Sequence, residues 1–156
     1  MNTFSMGFSP NIKIMNLEKF KNRLKIEIRY ADLDTYRHVN NKAFISFLED
    51  ARIYYMKEVM NFIPKNLDFE AVVGRIDISY LAPLFLYDEV WVYTRCSKIG
   101  TKSYDLESYI IKKKEGKEII SSKAIVTLVS YNLEKGISKN NNVEMIELIK
   151  KYEGIS

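Results

Sequence analysis

The chain has 156 residues and 18.3 kDa, with 47% hydrophobic and 28% charged residues, which suits one domain and excludes a disordered chain. One cysteine, Cys96, and one histidine, His38, exclude a disulfide framework and a His/Cys zinc cluster, and a reducing, cytoplasmic setting is expected. The net charge of +4 is compatible with nucleic acid, acidic lipid or a small anionic ligand, but an even spread of lysine over solvated faces is the simpler reading.

No stretch approaches the ~20 apolar residues of a membrane span. The first fifteen residues have neither a basic start nor a long apolar run, so no signal peptide is expected. The phosphate-cradling glycine loops and the nucleophile-elbow serine motif are all missing from the sequence. Residues 1–22, rich in Asn, Ser, Gly and Pro around Met6–Asn11, show no sustained period. They read as a loosely held arm before a single domain over 23–156, with Met15 an alternative start and the segment before it dispensable.

Residues 23–30 alternate strictly, so Leu24, Ile26, Ile28 and Tyr30 are expected on the buried face of a strand. After a polar loop, Phe44, Phe47, Leu48, Ala51, Tyr55 and Val59 recur every three to four residues. This spacing predicts a helix over 41–60, capped by Asn40 or Asn41 and about 30 Å long at 1.5 Å per residue. Pro64 is expected to end the helical region.

Four strand-like runs follow, at 70–81, 88–98, 102–113 and 118–131. Breaks at Asp88, Gly100 and Glu115-Gly116 favour antiparallel neighbours. The run Ala124–Val129 is apolar on both faces, so one face is expected against the helix and the other against a further surface, such as a partner subunit. A short amphipathic helix over 142–152 closes the chain. The expected fold is α+β: one long helix across a five-stranded antiparallel sheet, with a short C-terminal helix.

Chemistry is most concentrated in Asp32-Leu33-Asp34-Thr35-Tyr36-Arg37-His38-Val39-Asn40-Asn41, between the first strand and the long helix. A helix start presents unpaired N–H groups and the positive end of a dipole, which can hold an oxyanion. A carboxylate just upstream could activate water or attack directly. Turn-forming and capping roles account for the same Asp and Asn residues more simply.

The run Arg29-Tyr30-Ala31-Asp32-Leu33-Asp34, then His38-Val39-Asn40-Asn41, Phe44 and Glu49-Asp50-Ala51-Arg52, resembles the signature of hotdog-fold acyl thioesterases. The likeness is to the 4-hydroxybenzoyl-CoA thioesterase type and its small bacterial acyl-CoA thioesterase relatives. Downstream spacings fit as well: Ile78, Tyr80 and Pro83; Asp88, Val90 and Val92; Gly100 and Ser103; Tyr131-Asn132 before Lys135-Gly136. The resemblance covers about 24–137.

It implies a hotdog fold and hydrolysis of an acyl-CoA thioester to a carboxylate and free CoA, with neither metal nor cofactor. It implies Asp34 as nucleophile or general base and the backbone N–H of Asn41 as oxyanion donor. A fixed donor of this kind is worth roughly 3–4 kcal/mol in other systems. His38 is a candidate third member of the catalytic group, or a residue that fixes the loop through a backbone carbonyl. Asp32 is expected to hold the loop. Tyr36, Arg37, Asn40 and Glu49 are the candidates for substrate contact, with pairing to Arg52 the simpler role for Glu49. The family also joins two sheets edge to edge with sites at the interface, which implies a homodimer or a homotetramer built as a dimer of dimers.

Many members carry glycine directly before the histidine position, where this chain has Arg37, so a glycine-type backbone is not expected there. The guanidinium either reaches a phosphate or carboxylate or points to solvent. Plant-type acyl-ACP thioesterases share part of the pattern but have Asn where this chain has Tyr36, and an acidic residue where it has Pro83. The CoA type is therefore the closer match, with acyl-ACP hydrolysis and a non-catalytic acyl-CoA or acyl-carrier-protein binding module as alternatives. Lys112-Lys113-Lys114 flank an expected hairpin turn, free either for CoA phosphates or for solvent; poor alternation with aromatics argues against a nucleic-acid surface.

Overall fold

The structure, a computed structural model, describes residues 17–61 and 70–156. In chain order the elements are β1 (Asn22–Ile26), α1 (Asn41–Met60), β2 (Ala71–Tyr80), β3 (Glu89–Ile99), β4 (Ser103–Lys114), β5 (Lys117–Asn132), β6 (Ile137–Ser138) and α2 (Val143–Glu153). The main strands lie in the order β1-β3-β4-β5-β2, every pair antiparallel, and β6 adds a two-residue ladder to the end of β5. This is the expected α+β layout, with the five strands and two helices within a residue or two of the bounds read from the periodicity, β1 excepted.

The helix α1 begins where its cap dictates. The Asn40 side chain accepts the Ala43 N–H at 3.1 Å, and the helix stops at Asn61, whose φ of +51° turns the chain out of the helix. Pro64, expected to close this region, lies outside the described residues. The predicted stripe is the buried one: Phe44, Phe47, Leu48, Ala51, Tyr55 and Val59 all face inward.

The stripe divides into two cores. The first half of α1 packs with Ile26, Ile28, Val90, Val92, Ile110 and Ala124. The second half packs with Cys96, Tyr104, Leu106, Val126 and Leu128, and α2 seals that end with Met145 and Ile149. Burying side chains of this size contributes about 1.5–3 kcal/mol each, so the stripe holds the helix on the sheet. On β5, Ala124, Val126 and Leu128 are buried toward α1, while Ile125 and Val129 on the other face are half-buried.

Two boundaries differ from the sequence reading. β1 ends at Ile26 rather than Tyr30. The alternation persists to the buried Ile28, but Tyr30 enters a 3₁₀ turn, Tyr30–Asp32, and is 82% exposed instead of sharing the buried face. The arm read over 1–22 lies outside the described residues as far as 16. Its remaining part forms a 3₁₀ turn, Leu17–Lys19, and Phe20 is buried on the outer face of the sheet against Tyr93 and Ile111. The hairpin between β4 and β5 turns on Glu115-Gly116, both with positive φ, the pairing that a two-residue hairpin turn requires.

Candidate active site

The loop from Arg29 to Asn40 is held at its base by Asp32. The buried Asp32 carboxylate accepts the Arg29 backbone N–H at 2.8 Å and the Arg29 guanidinium at 2.9 Å, and the Asp32 carbonyl accepts the Asn40 N–H at 2.8 Å. Burial pushes the Asp32 carboxyl upward in pKa, but the bonds from Arg29 and its charge outweigh this and hold it below the ordinary value. A lowered carboxylate pKa stabilises the fold above the unfolded value, ~3.9, and that stabilisation is lost as pH falls through the folded value. Asp32→Asn is therefore expected to lower the melting temperature near neutral pH by about 2–4 °C. The gap between variant and wild type should narrow in melts below about pH 4.

Above this base the chain makes a tight hairpin. Leu33 and Val39 bridge, the Asp34 N–H donates to the His38 carbonyl at 2.8 Å, and the Arg37 N–H donates to the Asp34 carbonyl at 3.0 Å. Asp34 also organises the tip with its side chain: Oδ1 accepts the Tyr36 N–H at 2.8 Å and the His38 N–H at 3.0 Å. Short-chain acidic residues form such turns because the carboxylate reaches backbone N–H groups two to four residues on. The consequence is chemical as well as structural. One oxygen of Asp34 is fixed by two donors, and Oδ2 has no hydrogen-bond partner among the described residues.

Arg37 corrects an expectation. Its φ is +63°, the left-handed conformation that favours glycine. Backbone and Asp34 bonds on either side impose it, at the ~1–2 kcal/mol that a non-glycine residue costs in this region. Arginine thus occupies the glycine-type conformation rather than replacing it.

A cavity of about 590 Å³ opens beside the hairpin. Tyr30, Leu33, Asp34 and Arg37 form one wall, and the segment Phe85–Asp88, between β2 and β3, forms the other. That segment and Leu84 just before it are tied to the hairpin at two points. The Val39 N–H donates to the Leu84 carbonyl at 2.9 Å, and the His38 ring meets Phe85 edge-on at 5.0 Å.

The structure thus brings Asp34 and Arg37 to the cavity; His38, exposed and not part of its lining, meets the Phe85 ring. The His38 side chain has no hydrogen bond among the described residues, so aromatic contact, and not a carbonyl bond, fixes it. Asn40 caps α1, and Asn41 opens it with its carbonyl 3.4 Å from the Tyr80 hydroxyl. The cap satisfies the Ala43 N–H, while the Asn41 and Lys42 amides lie in the turn where a helix has no internal acceptors. Tyr36 is exposed at the hairpin tip. Glu49 is not part of the cavity wall; it pairs with Arg52 at 3.5 Å on the exposed side of α1.

Sequence reasoning missed Phe85, Tyr87 and the exposed position of Tyr30. The apolar Phe85-Leu86-Tyr87 run between Pro83 and Asp88, too short for a strand, was the available signal. Lys112 also departs from expectation. It is buried, its ammonium 3.3 Å from Asp88 and 3.2 Å from the Pro83 carbonyl, and is free neither for a phosphate nor for solvent. Cys96 is no rival nucleophile: burial pushes its thiol up to about 12, where thiolate is scarce at neutral pH. Among the described residues there is no group of three or more His, Cys, Asp or Glu side chains placed to hold a metal ion.

The chain is similar to known proteins in sequence and in fold. Residues 28–150 match the family model of the thioesterase-like superfamily. The long-chain acyl-CoA thioesterase FadM of Escherichia coli is 31% identical over 113 residues, 70% of this chain and 83% of FadM. A Thermus thermophilus thioesterase, solved with coenzyme A and zinc, is 31% identical with a TM-score of 0.76, covering 89% of this chain and 98% of that one. A 4-hydroxybenzoyl-CoA thioesterase variant in complex with 4-hydroxybenzoyl-CoA superposes with a TM-score of 0.73 over 81% of this chain and 96% of its own. At 14% identity, it shows the shared fold. With the family model covering most of the chain and the fold in agreement, the protein belongs to the thioesterase-like superfamily.

Proposed function

We propose that this thioester hydrolase acts on acyl-CoA, releasing a carboxylate and free CoA, with Asp34 as nucleophile or general base. The carrying observation is the Asp34 carboxylate itself, fixed through one oxygen by two backbone N–H groups at the wall of a substrate-sized cavity. Pre-set orientation of this kind removes the entropic cost of aligning a base or nucleophile with the thioester carbon. The Asn41 N–H, at the positive end of α1, is the proposed oxyanion donor. Tyr36, Arg37 and Asn40 are the proposed substrate contacts, with Glu49 left to its pair with Arg52; Arg37, on the cavity wall, is the one suited to a CoA phosphate. The likeness to FadM and to the coenzyme A complex from Thermus supports acyl-CoA over an acyl-carrier protein.

Thiol release from a panel of short, long and aromatic acyl-CoAs tests the reading. Turnover of at least one is expected. Binding throughout the panel with no release would instead favour a binding module.

The proposed working unit is a homodimer or a dimer of dimers, in a reducing cytoplasm that keeps the single thiol free. β2 is a ten-residue edge strand whose pairing among the described residues is with β5 alone, and Val73, Ile76 and Tyr80 on it are exposed. Long apolar edges of this kind invite a partner strand. Light scattering at micromolar concentration should give at least twice the 18.3 kDa of one chain; a monomer would contradict the proposal.

A further inference from the structure

The second wall of the cavity is bolted to the sheet by a charge buried where an apolar residue is the rule. Lys112 sits on β4 in register with Val90, a core residue of the α1-facing layer, so its side chain runs inward from the sheet. It is 8% exposed, and lysine is rarely buried unless paired. Here its ammonium is bound on several sides. It lies 3.3 Å from Asp88 Oδ2, donates to the Pro83 carbonyl at 3.2 Å and stands 5.4 Å from the centre of the Phe85 ring. Asp88 in turn closes the segment: its Oδ2 accepts the Phe85 N–H at 2.8 Å, and its own N–H donates to the Phe85 carbonyl at 3.0 Å.

Among the described residues, the ion-pair, hydrogen-bond and ring partners of the Lys112 ammonium all belong to the 83–88 segment, and Phe85 carries the effect onward to the His38 ring. His38 supplies one of the two N–H groups that hold Asp34 Oδ1. We propose that Lys112 is a positioning residue that, through Asp88 and Phe85, fixes the cavity wall and the His38 side of the Asp34 hairpin. A lysine suits the task because its three donors can serve a carboxylate and a carbonyl together while its charge faces an aromatic ring. The consequence for the reaction rests on the acyl-CoA thioesterase reading; the coupling of Lys112 to His38 does not.

The test uses the fact that the chain has one histidine, so its imidazole gives one set of NMR signals. In the full-length protein, Lys112→Met keeps an unbranched stem as far as Cε and removes the ammonium, whereas Lys112→Arg keeps the charge. The expected result is a displaced or broadened His38 imidazole signal in Lys112→Met, with kcat on an acyl-CoA about 10-fold lower and KM changed less. Lys112→Arg should recover most of both. A folded Lys112→Met with a native imidazole signal overturns the proposal, as does a shifted signal with native kcat in a protein that turns over. Should wild type hydrolyse no thioester, the function reading fails while the imidazole signal still decides the coupling. Asp88→Asn, read in the same two ways, replaces Lys112→Met if that variant does not fold, and the same outcomes apply.

Discussion

Asp34→Asn should leave a folded protein whose thioester turnover is lower by about 10²–10⁴-fold, the usual contribution of a positioned base or a comparable group. The structure gives a reason for both halves of that expectation. An asparagine keeps a carbonyl oxygen where Oδ1 accepts the Tyr36 and Arg37-flanking His38 N–H groups at 2.8 and 3.0 Å, so the hairpin retains its side-chain bonds. The other oxygen becomes an amide NH2, a donor that can neither take a proton from water nor attack a carbonyl carbon. Circular dichroism and a thermal melt check the fold, and thiol release from the best acyl-CoA of the panel checks the rate. A folded variant with a near-native rate would remove Asp34 from the reaction and with it the mechanism proposed here.

The elements that sequence made legible are those in which a single physical rule dominates. The α1 stripe could be read because burial on one face of a helix forces a spacing of three to four residues, and Asn40 could be read as its cap because a short amide satisfies the Ala43 N–H. The strands could be read from alternation and from turn residues at their ends. Asp34 stood out for a different reason: its importance was implied by resemblance, while spacing alone was as well explained by a turn. The structure places it in just such a turn, so the structural and the proposed chemical roles fall on the same carboxylate, through different oxygens.

What could not be read depended on contacts distant in sequence or on a conflict between local rules. Tyr30 continues the alternation of β1, but the Arg29–Asp32 bonds bend the chain into a 3₁₀ turn and carry the ring outward. Arg37 obeys the hairpin rather than its own side-chain preference, since hydrogen bonds closed by Asp34 and His38 on both sides of it set its φ. Lys112 looks solvated within a Lys-Lys-Lys run. Only its register with Val90, combined with the return of the 83–88 segment over it, shows that the first of the three is buried while its neighbours flank the hairpin. Phe85 and Tyr87 lie more than fifty residues from Asp34 in sequence, and no local pattern links the two walls of the cavity.

His38→Ala is expected to lower the rate by about 10- to 100-fold, less than Asp34→Asn. The bonds that His38 makes to Asp34 are made by its backbone, through an N–H to Oδ1 and a carbonyl to the Asp34 N–H, and alanine keeps both. What alanine removes is the ring that meets Phe85 edge-on at 5.0 Å. An edge-to-face pair is worth roughly 0.5–1.5 kcal/mol beyond its buried area, enough to loosen the hairpin against the second wall without unfolding it. A loosened hairpin misplaces the carboxylate, which acts mainly on kcat and leaves the shape of the pH–rate profile as it was. A direct proton-transfer role would do more, because an imidazole in the reaction path contributes a limb of its own to that profile. The comparison is therefore a pH–rate profile of wild type beside His38→Ala. If the variant is folded, as inactive as Asp34→Asn, and has lost one limb of the profile, His38 is a catalytic partner of Asp34 and the positional role assigned to its ring is wrong.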